Sequence, residues 1–176
     1  MCIRDSNKAS INSKDIKKNN IFFGIKGKNI DGNKFADEAL KKKASICILE
    51  KNYSKKNPRK IFVKDTLKTV SSLSCIIRKS LGTPIVAITG SAGKTSLKEL
   101  IGQSLNTLIP TSYSKKSFNN QYGVPLSLFN IDKKHKIGVF EIGMDKKGEI
   151  QKLSNLIRPD IGCLLYTSDA ADDLLC

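Results

Sequence analysis

The chain has 176 residues, enough for one medium domain or two small ones. Hydrophobic residues make up 39% and charged residues 27%, which excludes collagen-like, mucin-like and wholly disordered chains. The net charge is +15, but only four of the 31 basic residues are arginine (Arg4, Arg59, Arg78, Arg158), tryptophan is absent, and the lysines are spread along the whole length. They read as solvated surface, and no specific nucleic-acid partner is expected.

Strands and helices alternate along the chain. Residues 21–25 form a short apolar strand, and Asp31-Gly32 marks a turn. Asn33 can cap a helix carrying Phe35, Ala36, Ala39 and Leu40. Residues 44–49 and 61–63 are strands on either side of a polar loop. Asp65 and Thr66 open a helix with Leu67, Val70, Leu73, Ile76 and Ile77 on one stripe. Gly82-Thr83-Pro84 is a plausible boundary. Beyond it, residues 85–88 form a strand apolar on both faces, as in a buried parallel sheet. A glycine loop follows, then a helix with Leu97, Leu100, Ile101 and Leu105. Residues 137–142 are a second buried strand, and Ile150, Leu153, Leu156 and Ile157 mark a last helix before the strand 161–165. This order predicts an α/β fold of mostly parallel sheet.

The ends stand apart. Residues 1–6 and 166–176 share no pattern with their neighbours, and the tail is acidic where the rest is basic; both are expected to be non-native flanking sequence. No apolar run approaches the ~20 residues of a membrane-spanning helix, and no leader is evident, so a cytoplasmic protein is expected. The five cysteines, at 2, 47, 75, 163 and 176, are odd in number and lack a C-x-x-C pair, which fits neither a zinc site nor a disulfide framework. Cys47 and Cys75 lie in apolar patterns and are expected in the core.

The richest stretch is Thr89-Gly90-Ser91-Ala92-Gly93-Lys94-Thr95-Ser96. A buried strand runs into a glycine turn, then Gly-Lys-Thr, then a helix. Glycines let successive N–H groups turn toward phosphate oxygens, and the helix N-terminus adds partial positive charge. Lys94 would reach the β- and γ-phosphates and the Thr95 hydroxyl would meet Mg²⁺. The longer eight-residue pattern needs glycine at 88, where Ile88 stands, so the motif is G-x-x-G-K-T. An ordinary strand-to-helix turn would explain the glycines, but not a buried strand aimed straight at Gly-Lys-Thr-Ser. Glu141 is the candidate metal partner: it ends an otherwise uncharged strand, where a carboxylate is costly unless it meets a cation. A solvent-facing edge glutamate is the plainer alternative.

Three stretches together resemble the Mur ligases: Thr89–Glu99 with its Lys-Thr-Ser-Leu-Lys-Glu continuation, Ser117-Phe-Asn119-Asn120-Gln-Tyr-Gly-Val-Pro-Leu126, and Glu141-Ile-Gly-Met continued by Lys147-Gly-Glu149-Ile and Arg158-Pro-Asp160. Within the family the likeness is to members that add D-alanyl-D-alanine to UDP-N-acetylmuramoyl-tripeptide. The resemblance implies an N-terminal α/β domain at 7–82 that binds the UDP end, and the first part of a P-loop ATP-binding domain at 83–165. It implies ATP and Mg²⁺ as cofactors, an acyl-phosphate intermediate, and a monomer at full length. It places ATP on Gly90, Ser91, Ala92, Gly93, Lys94, Thr95 and Ser96, with Lys94 catalytic, and the metal on Thr95 and Glu141. Asn119 and Asn120 fall near nucleotide and substrate phosphates, with a plain loop turn as the alternative. Ser13 and Lys14 fall in the UDP site, where the family's Asp-Ser-Arg reads Asn12-Ser13-Lys14 here, which removes a bidentate guanidinium. The family's carbamylated lysine and C-terminal domain have no counterpart in the sequence, and His135, in an expected exposed loop, is no substitute for the second metal-side histidine. The 176-residue polypeptide alone is therefore not expected to ligate. Another Mur-type ligase and a generic P-loop kinase are the alternatives; the latter would need a base-recognition motif such as N-K-x-D.

Overall fold

The computed structural model describes residues 8–27, 29–53, 56–114, 118–144 and 146–166. The expected flanking segments lie outside these, apart from Tyr166, as does Ser117. The chain divides into two compact units, Met1–Leu73 and Ser74–Cys176, each with a parallel sheet. The expected α/β class is what is observed.

The first unit contains β1 (Ala9–Ser10), β2 (Ile21–Gly24), β3 (Ile46–Leu49) and β4 (Lys60–Phe62), paired in that order and all parallel. All four residues of β2 are buried, so both its faces carry apolar side chains. Helix α1 (Ala36–Lys41) packs Ala36, Ala39 and Leu40 against Phe22, Cys47 and Leu49. Burial pushes the Cys47 thiol up to about 12.

One local reading changes. Asn33 does not cap a helix: the Asp31 carboxylate accepts its N–H at 3.0 Å and starts a 3-10 turn, Gly32–Phe35, ahead of α1. The Asn33 side-chain oxygen instead accepts the amides of Glu50 at 2.7 Å and Lys51 at 3.3 Å, which ties the turn to the end of β3. A buried amide reaching two otherwise unpaired N–H groups outweighs a cap that Asp31 supplies equally well.

Helix α2 (Thr66–Leu81) begins with the Asp65 carboxylate accepting the Lys68 N–H at 2.8 Å. The division between the units falls inside this helix. In the second unit its Arg78 donates to the carbonyls of Ile157 and Arg158 and to the Asp160 carboxylate, at 3.0, 3.0 and 2.9 Å. Asp160 also accepts the Ile85 N–H at 2.8 Å, so the Arg-Pro-Asp segment is a structural clasp on the first residue of the next strand.

The second unit contains β5 (Ile85–Thr89), α3 (Lys94–Leu108), β6 (Thr111–Tyr113), α4 (Gly123–Phe129), β7 (Ile137–Glu141), α5 (Glu149–Ile157) and β8 (Ile161–Leu164). The sheet order is β6-β7-β5-β8, all parallel, which places β5 inside. Ile85, Ala87, Val124, Leu128, Phe140 and Ile157 form its core. Both β6 and α4 are additions to the sequence reading. His135 corrects another: its side chain is 13% exposed, with Nδ1 accepting the Asp132 N–H at 3.1 Å inside a turn.

Helix α3 turns Leu97, Ile101 and Leu105 half inward as expected, but not Leu100. Its buried positions are Lys98 and Gly102, while Leu100 is 64% exposed. The helix lies so close to β6 that a Cβ on Gly102 would stand 2.6 Å from the Tyr113 ring. Gly102 permits that close approach, and Lys98 packs beside it as an unbranched, hydrogen-bonded chain.

Candidate functional site

The loop Gly90–Gly93 leaves the carboxyl end of the inner strand β5 and enters α3 at Lys94. Gly90 and Gly93 have φ of 138° and 77°, values that side chains rarely adopt, which is why the turn is glycine at these two places. The Lys94 ammonium lies on the rim of the loop, donating to the carbonyls of Gly90 at 2.6 Å and Ser91 at 3.1 Å. Ala92 and Ser96 are exposed beside it. One amide expected to face phosphate points elsewhere: the Ser91 N–H donates to the Tyr166 carbonyl at 2.8 Å.

Glu141 ends β7, and the register pairs it with Ile88, the penultimate residue of β5. It is 1% exposed, so it is not an edge glutamate facing solvent. The Thr95 hydroxyl donates to its Oε2 at 2.7 Å and the Asn119 amide donates to its Oε1 at 2.7 Å. Lys94, Thr95, Glu141 and Asn119 are thus gathered at the carboxyl ends of β5 and β7, the end of a parallel sheet where α/β proteins place ligands.

Asn120 takes a different position. Its side-chain oxygen accepts the N–H groups of Tyr122 at 3.0 Å and Gly123 at 3.1 Å, which starts α4. Ser13 and Lys14 belong to the first unit. Ser13 is buried, and its hydroxyl donates to Glu38 Oε2 at 2.9 Å; that hydrogen bond, more than the nearby Lys42, holds the Glu38 carboxyl below its usual range. Lys14 is exposed, with its N–H on the Asn12 side chain.

Sequence reasoning missed Lys98. It is fully buried and donates to Glu99 Oε1 at 2.7 Å and to the Ser114 carbonyl at 2.6 Å. The Ser114 hydroxyl in turn faces the Glu141 N–H at 3.5 Å. The available signal was a lysine one helical turn beyond Lys94, on the same face as Gly102.

Among the described residues, no three His, Cys, Asp or Glu side chains gather as a metal cluster. The donors at hand are one hydroxyl and one buried carboxylate. These are hard oxygen ligands of the kind that suit Mg²⁺ when phosphates and water complete its shell, so the residues fit the ion.

A glycine loop leading from an inner parallel strand into a helix that begins Lys-Thr defines a P-loop α/β unit. The chain belongs to the Mur ligase family: residues 88–173 match the Mur ligase middle domain. It is 36% identical over 155 residues to the UDP-N-acetylmuramoyl-tripeptide–D-alanyl-D-alanine ligase of Buchnera aphidicola subsp. Acyrthosiphon pisum, covering 88% of this chain and 34% of that protein. With the ligase of the same name from Escherichia coli K12 it is 33% identical over 140 residues, covering 80% and 31%. Among solved structures, the MurF ligase of Thermotoga maritima in complex with ADP is similar with a TM-score of 0.76 and 30% identity, covering 94% of this chain and 39% of that one. MurF from Acinetobacter baumannii gives a TM-score of 0.77 and 27% identity, covering 89% and 35%. The chain spans about a third of the length of the curated relatives it matches. No helix among the described residues is long and apolar enough to cross a membrane.

Proposed function

We propose that the chain is part of an ATP-dependent, ADP-forming ligase of peptidoglycan precursor synthesis. Residues 83–165 begin its ATP-binding domain and residues 7–82 bind the UDP end of the substrate. ATP phosphorylates the terminal carboxylate of UDP-N-acetylmuramoyl-tripeptide. The amine of D-alanyl-D-alanine then attacks the acyl phosphate, forming the amide and releasing phosphate. The whole enzyme works as a cytoplasmic monomer.

The roles follow from charge. Nucleotide and acceptor carboxylate are both anions, so cationic groups must offset their repulsion. Lys94, already on the loop rim, swings to the β- and γ-phosphates. Ala92, Gly93 and Ser96 border the phosphates where α3 begins, and the helix N-terminus adds partial positive charge. Mg²⁺, bound with the nucleotide, supplies further charge neutralisation, and Thr95 and Glu141 are its protein ligands. Ser13 and Lys14 serve the UDP phosphates; Ser13 must first exchange its hydrogen bond with Glu38.

One observation carries the reading: the 2.7 Å pairing of Thr95 with a buried Glu141 at the mouth of the glycine loop. Lys94→Ala tests it. ATP affinity measured by calorimetry should fall about 10- to 100-fold, the range expected for losing a charged hydrogen bond to phosphate. Unchanged affinity would overturn the proposal. In a protein extended to the length of its relatives, sustained multiple-turnover ADP release should require both the UDP-tripeptide and the dipeptide.

A further inference from the structure

The Asn119 amide has a defined partner, and that partner is protein. Its Nδ2 donates to Glu141 Oε1 at 2.7 Å, while Thr95 donates to the other oxygen at the same distance. Asn119 is also fixed through its backbone, since its carbonyl accepts the Gly143 N–H at 2.7 Å. The carboxylate is therefore gripped from both sides, and its rotation about the terminal bond is set by the amide.

Gly143 makes this possible by clearance. A Cβ built there would lie 2.8 Å from Asn119 Cγ, 2.9 Å from Nδ2 and 3.1 Å from Oδ1, all inside van der Waals contact. The described glycines with positive φ are Gly82, Gly90, Gly93 and Gly148, so Gly143 is not needed for an unusual backbone. The atoms it would strike are the far end of one side chain, which can turn away without disturbing the sheet.

We infer that Asn119 is a positioning residue for Glu141 and that Gly143 is its seat: a side chain at 143 unhooks the amide and leaves the acid free to rotate off Thr95. The inference rests on the proposed reading that Thr95 and Glu141 share the magnesium of bound ATP. It replaces direct substrate contact with alignment of a metal ligand as the task of Asn119.

The test uses the wild-type protein, Gly143→Ala, Asn119→Leu and the double variant. The first readout needs neither nucleotide nor metal: the NMR signals of the Asn119 side-chain NH₂ group. In Gly143→Ala they should move to the positions of a solvated amide. The second is ATP affinity by calorimetry, in EDTA and in excess Mg²⁺. Gly143→Ala should keep the EDTA value within about twofold and cut the magnesium-dependent gain by about tenfold, the size of one hydrogen bond to a charged group. The double variant should be no worse than Asn119→Leu, because both changes remove the same contact. Unmoved NH₂ signals in Gly143→Ala, an equal loss with and without magnesium, or additivity in the double variant would overturn the inference. Should Gly143→Ala not fold, a wild-type magnesium gain in Asn119→Leu would do the same. A wild-type protein that binds no ATP under either condition would sink the ligase reading, while the NH₂ signals would still judge the seat.

Discussion

Glu141 and Lys98 show what a single buried charge implies. Each is out of water, and each is held by hydrogen bonds that restrain its position. For Glu141 the sequence raised the question, since a lone acid at the end of an apolar strand is hard to explain without a partner, but only its 1% exposure excludes the solvent-facing alternative. Lys98 was hidden among many lysines, because the half-buried stripe of Leu97, Ile101 and Leu105 beside it gave no sign that the most buried side chain of the helix is a cation. Lys98→Met should lower stability by about 1–3 kcal/mol, chiefly by leaving the Ser114 carbonyl buried and unpaired, since the Glu99 carboxylate can turn to water. The urea midpoint reads this, and an unchanged midpoint would show the ammonium is dispensable. Ser13 carries a pH signature. Its bond lowers the Glu38 folded-state pKa, so the stabilisation is present above the unfolded value of about 4.3 and is lost as pH falls through the lowered folded value. Ser13→Ala should flatten the stability-versus-pH curve on that acid side and leave its slope near neutrality as it was.

Among the elements, those with strong periodicity were legible: β2, β3, β5, β7, α2 and α5 fall within a residue or two of expectation. The ones missed had no period to read. All seven residues of α4 are buried, so it shows no polar face, and Gly123 and Pro125 argue against a helix until one sees that both stand in its first turn, where proline needs no donor. Strand β6 has three residues, too few for alternation to register. Its existence is set by pairing with β7, a long-range contact. The Arg78 clasp is likewise a tertiary fact. Arg78→Ala should destabilise the second unit by about 1–2 kcal/mol, mostly through the two carbonyls left without a donor, because the ion pair with exposed Asp160 is worth little alone. Thermal unfolding monitored by circular dichroism would register the loss, and an unaltered transition would refute it.

Across the molecule, 31 basic against 16 acidic residues repel one another in the compact state. Moderate salt should therefore raise Tm while weakening ATP binding, because screening relieves self-repulsion and also the attraction to phosphate. A Tm that falls between low and physiological salt would contradict this. The fold class and the glycine loop between β5 and α3 could be read from the order of elements and from the motif, since both rest on local pattern. The grip of Asn119 on Glu141 could not, because it joins residues brought together only by the sheet.

Pairing Ile88 with Glu141 across neighbouring strands has a last consequence. The span from the loop to the acid is dictated by rungs of main-chain bonding on an inner strand braced on both edges, and no nearby side chain can shorten it. Aspartate at 141, though equally charged, would fall one methylene short of Thr95 with no slack in the scaffold to make up the gap. The site demands reach as well as charge.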